Sequence, residues 1–199
     1  MRPHYTLVTP ASSEPITLAQ ATEHLRVDST DDIALVESLI PVGREIVEGI
    51  TGRVALESEW KLIARTWADL CPDPPYTSAF LHRTPLVSVE AVRYYAAGAS
   101  TLTTMSAEDY AVITASEPGM VHFKETLPTV DDRPDAIQIE FTAGHAAVED
   151  APATLKHAMK MLVAHFYETR TPIAFASSSE IPYTLQFLLN NQRVRGWLA

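Results

Sequence analysis

Cysteine is almost missing from this chain: Cys71 is the only one in 199 residues. One thiol closes no internal disulfide, which fits a reducing compartment and makes a cytosolic origin the plain expectation. Glycine is scarce at 7 residues, and none of them builds a phosphate-cradling loop or a Gly-x-Gly-x-x-Gly turn. No apolar run approaches the ~18 residues that a membrane-spanning helix needs. The opening Met1-Arg2-Pro3-His4-Tyr5 lacks the charged-then-apolar build of a secretory signal. Positive charge is also short, with 15 Lys and Arg against 25 Asp and Glu and a net charge of −10. Phosphate affinity comes from Lys and Arg, so specific nucleic-acid binding is not expected.

What remains is ordinary globular material. Hydrophobic residues make up 46% and charged residues 20%, enough to bury a real core. The charge is unevenly spread. Residues 57–150 carry 6 basic and 15 acidic side chains, while residues 151–199 carry 5 basic and 2 acidic. An acidic body with a basic end suits docking by that end onto an acidic partner.

The first ~15 residues read as extended, with Tyr5-Thr6-Leu7-Val8 strand-like. Thr17 with Gln20 three residues on has capping-box spacing, and Leu18, Ala21 and Leu25 continue a short helix. Val27-Asp28-Ser29-Thr30 breaks it, and Thr30 or Ser29 can cap the next helix, with Asp31 and Asp32 in its first turn. A stripe at Ile33, Val36, Leu39, Ile40, Gly43, Ile46, Val47 and Ile50 then predicts one long amphipathic helix from Thr30 to Thr51. Gly52 suits its C-terminal cap, and Pro41 predicts a bend.

From Leu56 the period changes to alternation. Segments 59–64, 80–82, 87–95, 110–113, 120–123 and 137–142 read as short strands of an antiparallel unit. Helix returns near Pro152, with Leu155, Met159, Leu162 and Phe166 on one face as the packing partner of the earlier stripe. A serine-rich loop at 174–180 precedes a last short helix from Pro182 to about Asn191. The expected fold is α+β: a helical bundle, made of an N-terminal helix pair plus C-terminal helices, with an inserted antiparallel β unit and an extended tail. The boundaries are 1–56 for the first helical part, 57–149 for the insert, 150–191 for the closing helices and 192–199 for the tail.

Catalytic patterns are thin. His165 and Glu168 lie three apart on a helix, but a di-metal bundle site needs Glu-x-x-His twice with further carboxylates. His145 and Glu149 have no third ligand at a recognisable spacing. Asp131, Asp132 and Asp135 lack the regular ladder of a calcium loop. Ser177-Ser178-Ser179 sits in no nucleophile elbow, and Cys71 has no histidine near it in sequence. No catalytic residue, metal site or cofactor is assigned. The tail Arg193-Val194-Arg195-Gly196-Trp197-Leu198 is different, because Arg and Trp are the side chains most favoured at binding hot spots.

Three blocks together resemble the phage head–tail connector, or adaptor, family. They are ITLAQATEHLRVD with DDIALVESLI and EGITGR, the strand-rich part closing on IQIEFTAGH, and the helix LKHAMKMLVAHFYETR with the Leu-rich helix after it. The likeness implies a structural virion protein of a tailed phage or phage-like gene-transfer particle, made in the host cytoplasm and built into the head–tail neck. It implies a homo-oligomeric ring, twelvefold in the family, between a portal protein and a stopper or other tail-side neck protein. DNA would pass through its lumen without specific binding, and no membrane is involved. The carboxyl-terminal segment would reach the portal, here through Arg193, Val194, Arg195, Trp197 and Leu198. Pro41 and the size of the β block depart from the family's simplest members. Two other readings stay open: a different neck or tail-completion protein such as a stopper, and a small host metal-dependent hydrolase.

Overall fold

The computed structural model describes residues 3–27, 30–71, 77–169, 183–194 and 196. The chain divides into two compact units, Met1–Ala11 with Glu57–Gly144 and Ser12–Leu56 with His145–Ala199.

The first unit is built of strands. β1 (His4–Thr9), β2 (Ser58–Ala64), β8 (Ile137–Ala143), β4 (Leu86–Tyr95) and β5 (Leu102–Thr104) form one antiparallel sheet in that order. β3 (Ser78–Leu81), β7 (Gly119–Phe123) and β6 (Tyr110–Ile113) form a second. Strand alternation explains the first sheet's core. Trp60, Leu62 and Ala64 of β2 are buried and lie opposite buried Phe141, Ile139 and Ile137 of β8. Residues between them, such as Glu59 and Lys61, face outward, and Lys61 shares Glu140 with Arg93 in cross-strand ion pairs.

The two sheets meet where Gly119 begins β7. A Cβ placed there would stand 2.5 Å from the Cβ of Leu86 in β4, a separation that only glycine permits. A one-turn helix, α3 (Trp67–Leu70), closes this region, with Thr66 and Asp69 forming a reciprocal capping box. Its Trp67 packs edge-on to Phe123 at 5.2 Å and donates its indole N–H to the Pro128 carbonyl at 2.9 Å.

The second unit is helical. α1 (Leu18–Leu25) starts on Thr17, whose hydroxyl accepts from the Gln20 N–H while the Gln20 side chain accepts from the Thr17 N–H. α2 (Ile33–Thr51) is preceded by a 3-10 turn over Thr30–Asp32 and runs through Pro41 as one helix. Asp32 precedes α2 without a side-chain cap; its carboxylate accepts the Tyr167 hydroxyl at 2.6 Å instead. Ser29 lies outside the described residues. Gly52 ends α2 in the left-handed conformation at φ 75°, its N–H bonded to the Glu48 carbonyl. α4 (Ala153–Glu168) and α5 (Tyr183–Gln192) complete the unit.

Val36, Ile40 and Val47 of α2 share a core with Leu155, Met159, Leu162 and Val163 of α4. Leu39, Ile46, Ile50 and Phe166 pack against it half-buried. Ile33, the first residue of α2, stays at the surface, so the buried stripe starts a turn later, at Val36. Gly43 allows the close approach: an added Cβ would lie 3.3 Å from Val163 Cγ2 and 3.4 Å from the Met159 carbonyl oxygen.

This architecture corrects the expected one. The protein is a sheet-rich α+β fold with two antiparallel sheets and few helices, and is not a helical bundle carrying an inserted β unit. The cause is visible in β1. It precedes the helices in sequence yet pairs with β2, His4 opposite Ile63, so the five-stranded sheet draws on chain from both sides of the helical segment. Helices of 19 and 16 residues give long periodic signals. Strands of 3 to 10 residues, some with register shifts, give weak ones and are easily undercounted.

Candidate functional site

The carboxyl-terminal end of α2 leaves carbonyls without helical partners, as every helix end does. Here the distant end of the chain supplies one of them. The Val194 N–H donates to the Thr51 carbonyl at 2.8 Å, and Val194 itself is buried, at 3% exposure. Arg53, just past the helix, donates from Nε to the Gln192 carbonyl at 2.7 Å. The Thr51 hydroxyl is turned inward, donating to the Val47 carbonyl and accepting from the Arg53 N–H. The last turn of α5 and the two residues after it are therefore tied to the end of α2.

A buried polar network stiffens the same helix end. The Glu48 carboxylate is 7% exposed and accepts the Ala55 N–H at 2.9 Å. Arg44, one turn earlier, lies 3.6 Å from Glu48 and 2.9 Å from Glu14. Burial disfavours the Arg44 cation, but its hydrogen bond to Glu14 and the nearby charge of Glu48 outweigh that and raise its pKa. A buried carboxylate so paired avoids the cost of an isolated charge.

Of the tail residues singled out in the sequence, Arg193 is exposed and Val194 is buried within its own chain. Arg195, Trp197 and Leu198 lie outside the described residues. The bond from Val194 to Thr51 was not legible beforehand; a lone valine between two arginines carries no signal of a long-range anchor.

The candidate chemical residues have ordinary structural surroundings. Cys71 is buried, and burial pushes its thiol up to about 11, where thiolate is scarce at neutral pH. Burial, with the charge of Arg53 adding to it, lowers the His145 pKa; its Nε2 is buried without a hydrogen-bond partner. Asp132 pairs with Arg65 at 2.9 Å. The hydrogen bond from Arg133 holds Asp135 below the usual carboxylate range, and the Arg133 guanidinium lies 3.6 Å from the centre of the Tyr95 ring. Asp131 accepts the Gly98 N–H. Glu168 is exposed on α4 beside half-buried His165. Among the described residues no three His, Cys, Asp or Glu side chains gather as a metal site would require. Ser177, Ser178 and Ser179 lie outside them. No helix among those residues is long and apolar enough to cross a membrane.

No curated protein matches this chain. Among solved structures, it is similar to a chain in the neck of an empty gene transfer agent particle computed with C6 symmetry. That match has a TM-score of 0.75 and 20% identity over 96% of this chain and 95% of the other. A chain of the virion of a native gene transfer agent particle matches with a TM-score of 0.73 and 20% identity, over the same shares of both chains. One in the neck of a native particle computed with C12 symmetry matches at 0.66 with 21% identity, over 98% and 96%. At these identities the likeness is one of fold. The model of the head completion protein family matches residues 14–179, which span α1, α2, α4 and every strand from β2 to β8. The chain belongs to the head completion protein family.

Proposed function

We propose that the protein is a non-catalytic adaptor, assembling as a ring of identical copies between the portal and the stopper or tail-side neck protein. The observation that carries the portal contact is the anchor at Val194. Because Val194 and Gln192 are bonded to the end of α2, the residues after them leave from a fixed point on a folded unit. A peptide held at its base loses less freedom on docking than a loose one, and so binds more tightly for the same contacts. The peptide is Arg195-Gly196-Trp197-Leu198-Ala199, and Arg193 is exposed beside its base. Composition supports the docking role: Arg195 and Trp197 lie in the peptide and Arg193 at its base, at the end of a chain whose net charge is −10.

The ring draws support from family membership and from the C6 and C12 symmetry of the neck particles whose chains share this fold. A twelvefold ring is the stoichiometry we favour. DNA would traverse the lumen without specific binding, since an acidic body offers few phosphate contacts. The test is portal binding by a chain ending at Val194. Binding should fall at least tenfold while the helical unit keeps its circular dichroism. Equal affinity for the full-length and shortened chains would refute the tail's role.

A further inference from the structure

A chain in a closed ring meets the neighbour ahead and the neighbour behind through two different patches. The β unit carries a pair of surfaces of that kind. β1 ends the five-stranded sheet and β6 ends the three-stranded sheet, so among the described residues each has a partner strand on one side only. Soluble proteins usually blunt such edges with lysine, proline or inward-pointing charge. β1 reads His4-Tyr5-Thr6-Leu7-Val8-Thr9 and β6 reads Tyr110-Ala111-Val112-Ile113, without Lys, Arg, Asp, Glu or Pro in either. Pro3 and Pro10 bound β1, and a register shift falls between Leu7 and Thr9, which leaves His4 to Leu7 regular.

Exposed apolar side chains gather on the same strands. Leu7 and Val8 are 40% and 54% exposed, and Val112 and Ile113 are 37% each. The remaining edges are poorer templates. β5 has only three residues, and β3 buries Ala79 and Leu81 completely. Charge favours the same choice. Residues 57–150 hold 15 acidic and 6 basic side chains, so two copies repel wherever their charged faces meet. The uncharged edges are where copies can meet without that penalty.

We propose that β1 of one copy pairs with β6 of the next, joining neighbours by backbone hydrogen bonds between sheet edges, with Leu7, Val8, Val112 and Ile113 covered at the joint. The inference rests on the ring reading above and adds the surface that closes it. Cysteine cross-linking tests it, since native Cys71 is buried and a poor competitor. Leu7→Cys, Val112→Cys and the double variant, each as full-length chain assembled with its portal, would be treated with a short bis-maleimide and run on a denaturing gel.

The double variant should give a ladder of oligomers, each single variant should stay monomeric, and the two singles mixed should give dimers and nothing larger. A single variant that dimerises with itself would overturn the β1–β6 pairing, as would one that cross-links to the portal instead. A double variant that stays monomeric while micrographs of the same sample show rings would overturn the edge pairing and leave the ring reading standing. If wild-type samples show no rings, the ring reading fails and takes this one with it. Val112→Lys offers a second readout: unchanged circular dichroism with ring formation lost is expected, and intact rings would count against the proposal.

Discussion

Gly119 is the position where the structure makes its sharpest energetic demand. In Gly119→Ala the new Cβ would lie 2.5 Å from Leu86 Cβ, 2.7 Å from its Cδ2 and 3.2 Å from its Cγ. Carbon atoms in contact prefer ~3.5–4.0 Å, so the nearest pair falls roughly 1 Å short. A rotamer change can move Cγ and Cδ2 of Leu86, but Cβ is fixed to the backbone of β4. Leu86 is 4% exposed and has little room to retreat. Relief therefore requires a shift of β7 or β4, and overpacking of this kind costs about 1–3 kcal/mol. At a urea slope of ~2 kcal/mol per molar, a loss of ~2 kcal/mol lowers the unfolding midpoint by ~1 M. Trp60 and Trp67 both lie in the β unit, so tryptophan fluorescence follows the relevant transition. The partner change separates the causes. Leu86→Ala leaves the 2.5 Å contact in place, whereas Leu86→Gly removes all three contacts. Gly119→Ala should therefore cost much less in the Leu86→Gly background, a coupling of about 1 kcal/mol or more. An unchanged midpoint for Gly119→Ala, or simple additivity with Leu86→Gly, would refute the close-approach reasoning.

Gly43→Ala should change the melting temperature little, because a helix-propensity gain of ~1 kcal/mol offsets the 3.3 Å contact with Val163. Gly43→Val, with branched atoms facing α4, should cost about 2 kcal/mol, and both are read by thermal unfolding. The His145 pKa is lowered in the fold, so below the unfolded value of ~6.5 the unfolded chain binds more protons than the native one. Stability should fall as pH drops through that value and on toward the native pKa, and His145→Asn should flatten the fall in urea titrations across pH 5 to 7.5; an identical slope in the variant would remove His145 as the cause. Cys71, with its thiol pushed up to about 11, holds only roughly one thiolate in a thousand at pH 8. Native protein should resist iodoacetamide and react after urea unfolding, as mass spectrometry would report.

The parts of the fold that were legible in the sequence are those specified by near neighbours. Thr17 and Gln20 are three residues apart and form their capping box within one turn. Gly52 stops α2 because a left-handed residue needs no distant partner. What escaped is long-range or short-lived in sequence. α3 is a single turn whose Trp67 is positioned by Phe123 and Pro128 from elsewhere in the chain. β5 is three exposed residues, Leu102 to Thr104, with no buried face to impose alternation. Helical periodicity runs long in α2 and α4, while the pairing of β1 with β2 depends on partners fifty or more residues away and leaves no local trace. At the candidate site the basic and aromatic composition of the tail was readable, but the bond from Val194 to Thr51 was not.

The proposed ring in the head–tail neck docks on the portal through the residues after Val194. Electron microscopy of the full-length chain mixed with its own portal tests it most directly. Class averages should show a closed ring of copies coaxial with the portal, and should lose it when the chain ends at Val194. Portal particles that stay bare at saturating protein, or rings that dock equally well without those residues, would contradict it.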